Sequence, residues 1–146
     1  MIYLFILFAL IAGMALPTQF SINAQLRSLV GSPIIASTIS FIVGSIALLI
    51  LSLFQQEVRF NKGWLEGPWW IWTGGVLGAF YVVATIVLIP RIGAASTVAF
   101  ILTGQIIASV LIDHFGLFGV QIQSINLYKF IGVSLIIIGV IFVQKH

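Results

Sequence analysis

Gln19 and Asn23 stand one helical turn apart in the stretch "ALPTQFSINAQL" (15–26), at the end of an apolar run that begins at Ile2. Spaced i and i+4, the two amides share a helix face, while Thr18, Ser21 and Gln25 occupy roughly the other side. An amide in hydrocarbon costs free energy unless it meets a partner or lines a wet cavity. The chemistry on offer is therefore uncharged: hydrogen bonds to a polar solute, or the same bonds given to neighbouring helices as glue. Just ahead of them Pro17 removes one backbone hydrogen bond and disturbs the carbonyl near Gly13. A kink or gap is expected there, at a place suited to gating.

A second set of polar groups lies in "STVAFILTGQIIASVLID" (96–113). Gln105, Ser109 and Asp113 form an i, i+4, i+8 stripe beside Gly104, where another backbone can approach. The stripe reads either as one wall of a polar path, with Asp113 as an edge gate, or as interhelical glue that ends in water at Asp113. Tyr81 either reaches a central cavity or packs against a neighbour. Gln19, Asn23, Gln105 and Tyr81 are thus the candidate solute-binding residues. Gly74 and Gly78 in "GGVLGAFY" make a small-residue face for close packing, and Gly132 and Gly139, seven apart in "FIGVSLIIIGVIFV", mark either a dimer seam or a packing face within the chain.

What is missing is equally informative. No Asp, Glu, Lys, Arg or His falls in the central part of any apolar segment, so the usual signature of a proton relay or buried charge pair is absent. There is no HExxH, no Ser/His dyad at depth and no paired membrane carboxylates, which argues against an enzyme. Without cysteine there is neither a disulfide framework nor a thiolate metal site, and no cofactor or metal is expected. Six basic residues and a formal charge of +3 are too few and too scattered for a nucleic-acid surface.

These residues need elements to hold them, and composition says which. Of 146 residues 61% are hydrophobic and 6% charged, with a mean hydropathy of +1.24. A soluble domain of this length would need far more polar surface, so the chain is an all-α integral membrane protein with the lipid bilayer as its solvent. About 20 apolar residues span the hydrocarbon core. Five continuously apolar segments fit: residues 2–26, 33–54, 69–89, 94–112 and 127–143, in a single transmembrane domain over 1–146. The first is read as a retained helix, because no basic segment precedes it. "ASTISFIVGSI" (36–46) resembles "ASTVAFILTGQI" (95–106), which would relate the first two helices to the next two as parallel copies.

Orientation is undecided by charge. Arg59, Lys62 and Lys129 fall on the side of the N-terminus and Arg27, Arg91 and Lys145 on the other, three against three. Trp64, Trp69, Trp70 and Trp72, with Tyr3 and Tyr128, form an interfacial belt that sets depth without choosing a direction. A chain with no Lys/Arg bias can insert both ways, and two opposite copies make an inverted pair. Dual topology and a fixed orientation both remain open.

"G…PTQFSIN", "GSPIIASTISFIVG", "GPWWIWTGGVLGAFYVVATIVLIPRIGAAST" and "TGQIIASVLIDHFGLFG" resemble the YdcZ-like family of small bacterial inner-membrane proteins, in the drug/metabolite transporter superfamily. The most specific parts are Pro17, Gln19 and Asn23, "IPRIGAA", and the "GQ…S…D" pattern around Gln105 and Asp113. The resemblance implies a multi-pass exporter of five transmembrane helices, half of an inverted-repeat transporter, working as a dimer or paired with a homologous half. The four-helix multidrug transporters of the superfamily exchange protons through a buried Glu in helix one. This chain has amides there instead, so that mechanism does not carry over. The expected function is export of a small polar solute, neutral or zwitterionic, by alternating access in a homodimer, antiparallel in preference to parallel. The rival is a non-transporting membrane subunit or scaffold that packs with a partner membrane protein.

Overall fold

The computed structural model describes residues 2–55 and 66–144. Arg59, Lys62, Trp64 and Lys145, and with them half the orientation argument, lie outside the described residues. The elements run α1 (Ile2–Val30), α2 (Pro33–Phe54), a short 3-10 turn (Trp69–Thr73), α3 (Gly74–Ile92), α4 (Ala94–Phe115), a second 3-10 turn (Leu117–Gly119) and α5 (Leu127–Gln144). The protein is all-α. Among the described residues four stretches, Ile2–Val30, Pro33–Phe54, Trp69–Ile92 and Ala94–Phe115, are long and apolar enough to cross a membrane. α5, with 18 residues, is about 27 Å long at 1.5 Å per residue, near the lower limit for a span. The chain divides into two compact units, Met1–Arg91 and Ile92–His146.

In the first unit α1 and α2 form a hairpin across Gly31 and Ser32. α1 runs four residues past the expected Leu26, because nothing in "RSLV" breaks a helix and a charged Arg27 can keep helical backbone while its head reaches outward. The Gly31 N–H donates to the Arg27 carbonyl at 2.9 Å and ends it. Ser32 then caps α2, its hydroxyl accepting from the Ile35 N–H at 3.4 Å, with Pro33 in the first helical position where its missing N–H is no loss. α1 continues as one α-helix through Pro17.

Phe20, Ala36, Val82 and Ile86 are buried, and Leu26, Val30 and Tyr81 pack on the cluster of Ala36, Val82 and Ile86. In a bilayer these contacts act through dispersion and close fit rather than escape from water. α3 carries Pro90 and still extends to Ile92. Pro90 has no N–H for the Ile86 carbonyl one turn back. The Arg27 guanidinium supplies the donor instead, Nη1 to the Ile86 oxygen at 3.4 Å.

The second unit pairs α4 with α5. Gly93 precedes α4 at φ 83°, ψ 161°, a region reserved for glycine. Its carbonyl accepts both the N–H of Thr97 (3.1 Å) and its hydroxyl (2.7 Å). α4 passes the expected Ile112 and stops at Phe115, where Gly116 takes the left-handed conformation. A Cβ on Gly116 would lie 2.6 Å from Ile122 Cγ1, so the glycine is required twice over. The segment that follows is tied back to α4: the Gln123 N–H donates to the Asp113 carbonyl at 2.8 Å, and the Ile125 N–H donates to His114 Nδ1 at 3.2 Å. Asn126 starts α5, its side-chain oxygen accepting from the Lys129 N–H at 2.8 Å.

Candidate functional site

The periodicity of α1 builds a groove. Ile11, Met14, Ala15, Thr18, Gln19, Ile22 and Asn23 recur at helical spacing on one face and, with Ser40 of α2, enclose about 490 Å³. A smaller groove of about 200 Å³ adjoins it, lined by Gln19, Ser40, Phe41, Gly44, Ser45 and Leu48. Gln19 is exposed toward both, while Asn23 is buried, with 3% of its surface accessible. The Asn23 Nδ2 is the one buried side-chain nitrogen or oxygen without a hydrogen-bond partner among the described residues. Thr18 and Ser21 give their hydroxyl protons to the Met14 and Pro17 carbonyls, at 3.0 and 2.9 Å, and so leave the Gln19 and Asn23 amides as the donors this helix turns to the groove.

The structure brings Gln19 and Asn23 together in one wall and places the other candidates elsewhere. Tyr81 packs edge-on against Phe20, ring centroids 5.4 Å apart at 72°, beside the buried cluster, and lines neither groove. Gln105 is an exposed residue of α4 in the second unit. Asp113 faces Lys129, Oδ2 to Nζ 3.8 Å, at the end where the α4–α5 connection is tied down. Lys129 Nζ also donates to the Gln123 carbonyl (3.3 Å) and Oε1 (3.2 Å). Pro17 sits in the uninterrupted α1. Gly78 lies under Phe41, whose Cζ would be 3.5 Å from an added Cβ, and Gly74, Gly132 and Gly139 meet no side chain within 4 Å. Phe41 therefore rests on bare backbone of α3.

Sequence reasoning did not single out Ser40, Ser45 or Phe41. The signal was present: Ser40 and Ser45 interrupt the apolar residues of α2 on the side that meets Gln19.

No lining residue of either α1–α2 groove carries a charge. The arrangement can bind through hydrogen bonds from amides and hydroxyls and through apolar contact with Ile11, Met14, Ile22, Phe41 and Leu48. It offers no nucleophile with a base and no carboxylate to move a proton.

Comparison with known proteins supplies the family. The family model described as "Putative inner membrane exporter, YdcZ" matches residues 4–142. The inner membrane protein YdcZ of Escherichia coli (strain K12) is 26% identical over 140 residues, covering 95% of this chain and 93% of that one. No solved structure gives a match. A polar groove in a continuously apolar, all-helical chain, matched almost end to end by one family, leads to a single assignment: the chain belongs to the YdcZ family of multi-pass inner-membrane proteins, a transporter family of the drug/metabolite transporter superfamily.

Proposed function

We propose that the chain is half of a small-molecule exporter: two copies, or one copy and a homologous half, enclose a polar solute path lined by Gln19 and Asn23 and alternate its exposure between the two sides of the membrane. The observation that carries this reading is the buried Asn23 Nδ2 without a partner, set beside Gln19 in an open groove. A buried unpaired amide costs about 1–3 kcal/mol. A packing role would have paired it; a site that waits for a solute oxygen has reason to keep it.

The groove is open along its length, and α1 exposes Phe5, Phe8, Ile11, Met14 and Ile22. A second protein surface laid against this face would enclose the polar wall. An antiparallel copy suits that role because inverted five-helix halves are how related transporters are built. Counted from the centre of its own helix, Gln19 lies about 4–5 Å toward the C-terminal end of α1, and Gln105 about 1 Å toward that of α4, at 1.5 Å per residue. Each amide is near the middle of its own helix, and we assign both to the path, Gln105 of one copy facing Gln19 of an inverted partner.

The test is flux in proteoliposomes of the purified full chain, over a panel of polar solutes. Saturable movement of at least one solute, reduced tenfold or more by Gln19→Leu and Asn23→Leu, is expected. Silence across the panel, in protein that retains its helix content, would favour the scaffold reading. Tagging both termini settles the pairing: two populations of opposite orientation fit the antiparallel homodimer, and a single orientation eliminates it.

A further inference from the structure

Three grooves of the first unit join end to end around α2. The α1–α2 groove and its small neighbour share Gln19 and Ser40; that neighbour shares Phe41 and Ser45 with a third, of about 450 Å³, between α2 and α3. The track passes from Asn23, about 10 Å beyond the centre of α1, to Ser40, about 5 Å from the centre of α2 on the same side, and on to Ser45 near mid-membrane. Phe41 stands at the junction, seated on Gly78.

The hydroxyls along this track differ. Thr18, Ser37 and Thr38 donate to the carbonyls of Met14, Pro33 and Ile34, at 3.0, 2.8 and 2.9 Å, and so present only lone pairs. Ser40 and Ser45 do not bond back to their helix in this way and keep a proton to give. With the Asn23 Nδ2 and the Gln19 amide they make a row of donors. No residue that lines the three grooves is charged, so neither a cation nor an anion finds a counter-charge at that depth. The walls between the donors are Ile11, Met14, Ile22, Phe41 and Leu48. The largest groove is of the size that holds a drug-sized molecule.

We propose that this track binds uncharged amphipathic solutes that carry a carbonyl or ether-type acceptor oxygen. The oxygen takes the hydrogen bond of Asn23 Nδ2, the apolar body lies on Ile11, Met14 and Ile22, and Gln19, Ser40 and Ser45 offer the next donors along the way. Ser40 and Ser45 are thereby binding residues of the path. The proposal rests on the solute-export reading and narrows it, since a zwitterion would carry two unmatched charges into the same wall.

The chain has no cysteine, so Ser40→Cys and Ser45→Cys each create a single reporter. Each full-length variant is reconstituted in liposomes and its rate of modification by N-ethylmaleimide measured with three probes: N-benzoylpiperidine, a neutral amide with an acceptor and no donor; tetraphenylphosphonium, a cation; and benzoate, an anion. The neutral amide is expected to slow modification at least fivefold at both positions. Adding Asn23→Leu should abolish that protection, and the two ions should leave the rate unchanged. Equal protection by either ion, or amide protection that survives Asn23→Leu, would overturn the ligand class; if flux continues in those liposomes, the export reading stands alone. Failure of both reporters to react in protein with normal helix content would remove the track itself. If no probe protects and no solute moves, both readings fall together.

Discussion

Arg27 and Pro90 should be energetically coupled although 63 positions separate them in the chain. Pro90 leaves the carbonyl of fully buried Ile86 without its helical donor, and Arg27 fills that place at 3.4 Å. A hydrogen bond to a charged donor contributes about 1.5–3 kcal/mol, and an orphaned buried carbonyl costs about 1–3 kcal/mol. At 3.4 Å the bond is long, so Arg27→Leu is expected to destabilise the folded protein by about 2 kcal/mol. Pro90→Ala restores an N–H one turn after Ile86 and closes the ordinary helical bond. In that background Arg27→Leu should cost no more than about 0.5 kcal/mol, for a coupling of about 1.5 kcal/mol, roughly tenfold in the folding equilibrium. The lost positive charge at the end of α1 acts alike in both backgrounds and cancels. Reversible unfolding in mixed detergent micelles, followed by helical circular dichroism, measures all four variants. An equal cost of Arg27→Leu with and without Pro90 would refute the reasoning, because the carbonyl would then not be what the guanidinium serves.

Asn23→Leu should leave stability unchanged or raise it by about 1 kcal/mol, since an unpaired buried amide is replaced by an apolar side chain, while solute flux falls; a loss of more than about 1 kcal/mol in the same micelle assay would mark Asn23 as glue. Gly93→Ala should destabilise by about 1–3 kcal/mol because φ 83°, ψ 161° admits only glycine, and an unaltered unfolding midpoint would contradict that conformation. Gly116→Ala meets Ile122 at 2.6 Å and should be rescued in part by Ile122→Ala, read as a smaller loss of stability in the pair than in the single variant. Lys129→Ala removes a partly exposed pair with Asp113 and should cost less than about 1 kcal/mol, with thermal denaturation as the check.

The five helices were legible because a bilayer demands continuous apolar length, and their cores lie where hydropathy put them. Their ends were not, and the reason differs at each. Arg27 looks like the start of a loop to any rule that equates charge with exposure, yet a long side chain lets backbone stay helical while its head travels elsewhere. Pro90 looks like a stop, and locally it is one. The helix survives it by one residue-pair's help from α1, a fact that depends on tertiary structure and that no local window contains. Gly31 and Gly116, by contrast, end their helices through a left-handed backbone of their own.

The same division runs through the site. Gln19 and Asn23 were legible as a pair because one helix fixes their spacing, and amides at that depth must be accounted for. Whether each is satisfied is a property of the neighbours, and the structure separates them: Gln19 is exposed in the groove wall while Asn23 is buried within that wall with a donor unused. Ser40 and Ser45 passed as ordinary small residues because their meaning depends on which side of α2 faces α1. Serines and threonines that bond back to their own helix are chemically spent, and nothing in their letters distinguishes them from those that are not. On the proposed reading, selectivity lies in which side-chain N–H and O–H protons remain unspent, the property by which Asn23, Ser40 and Ser45 differ from Thr18, Ser37 and Thr38.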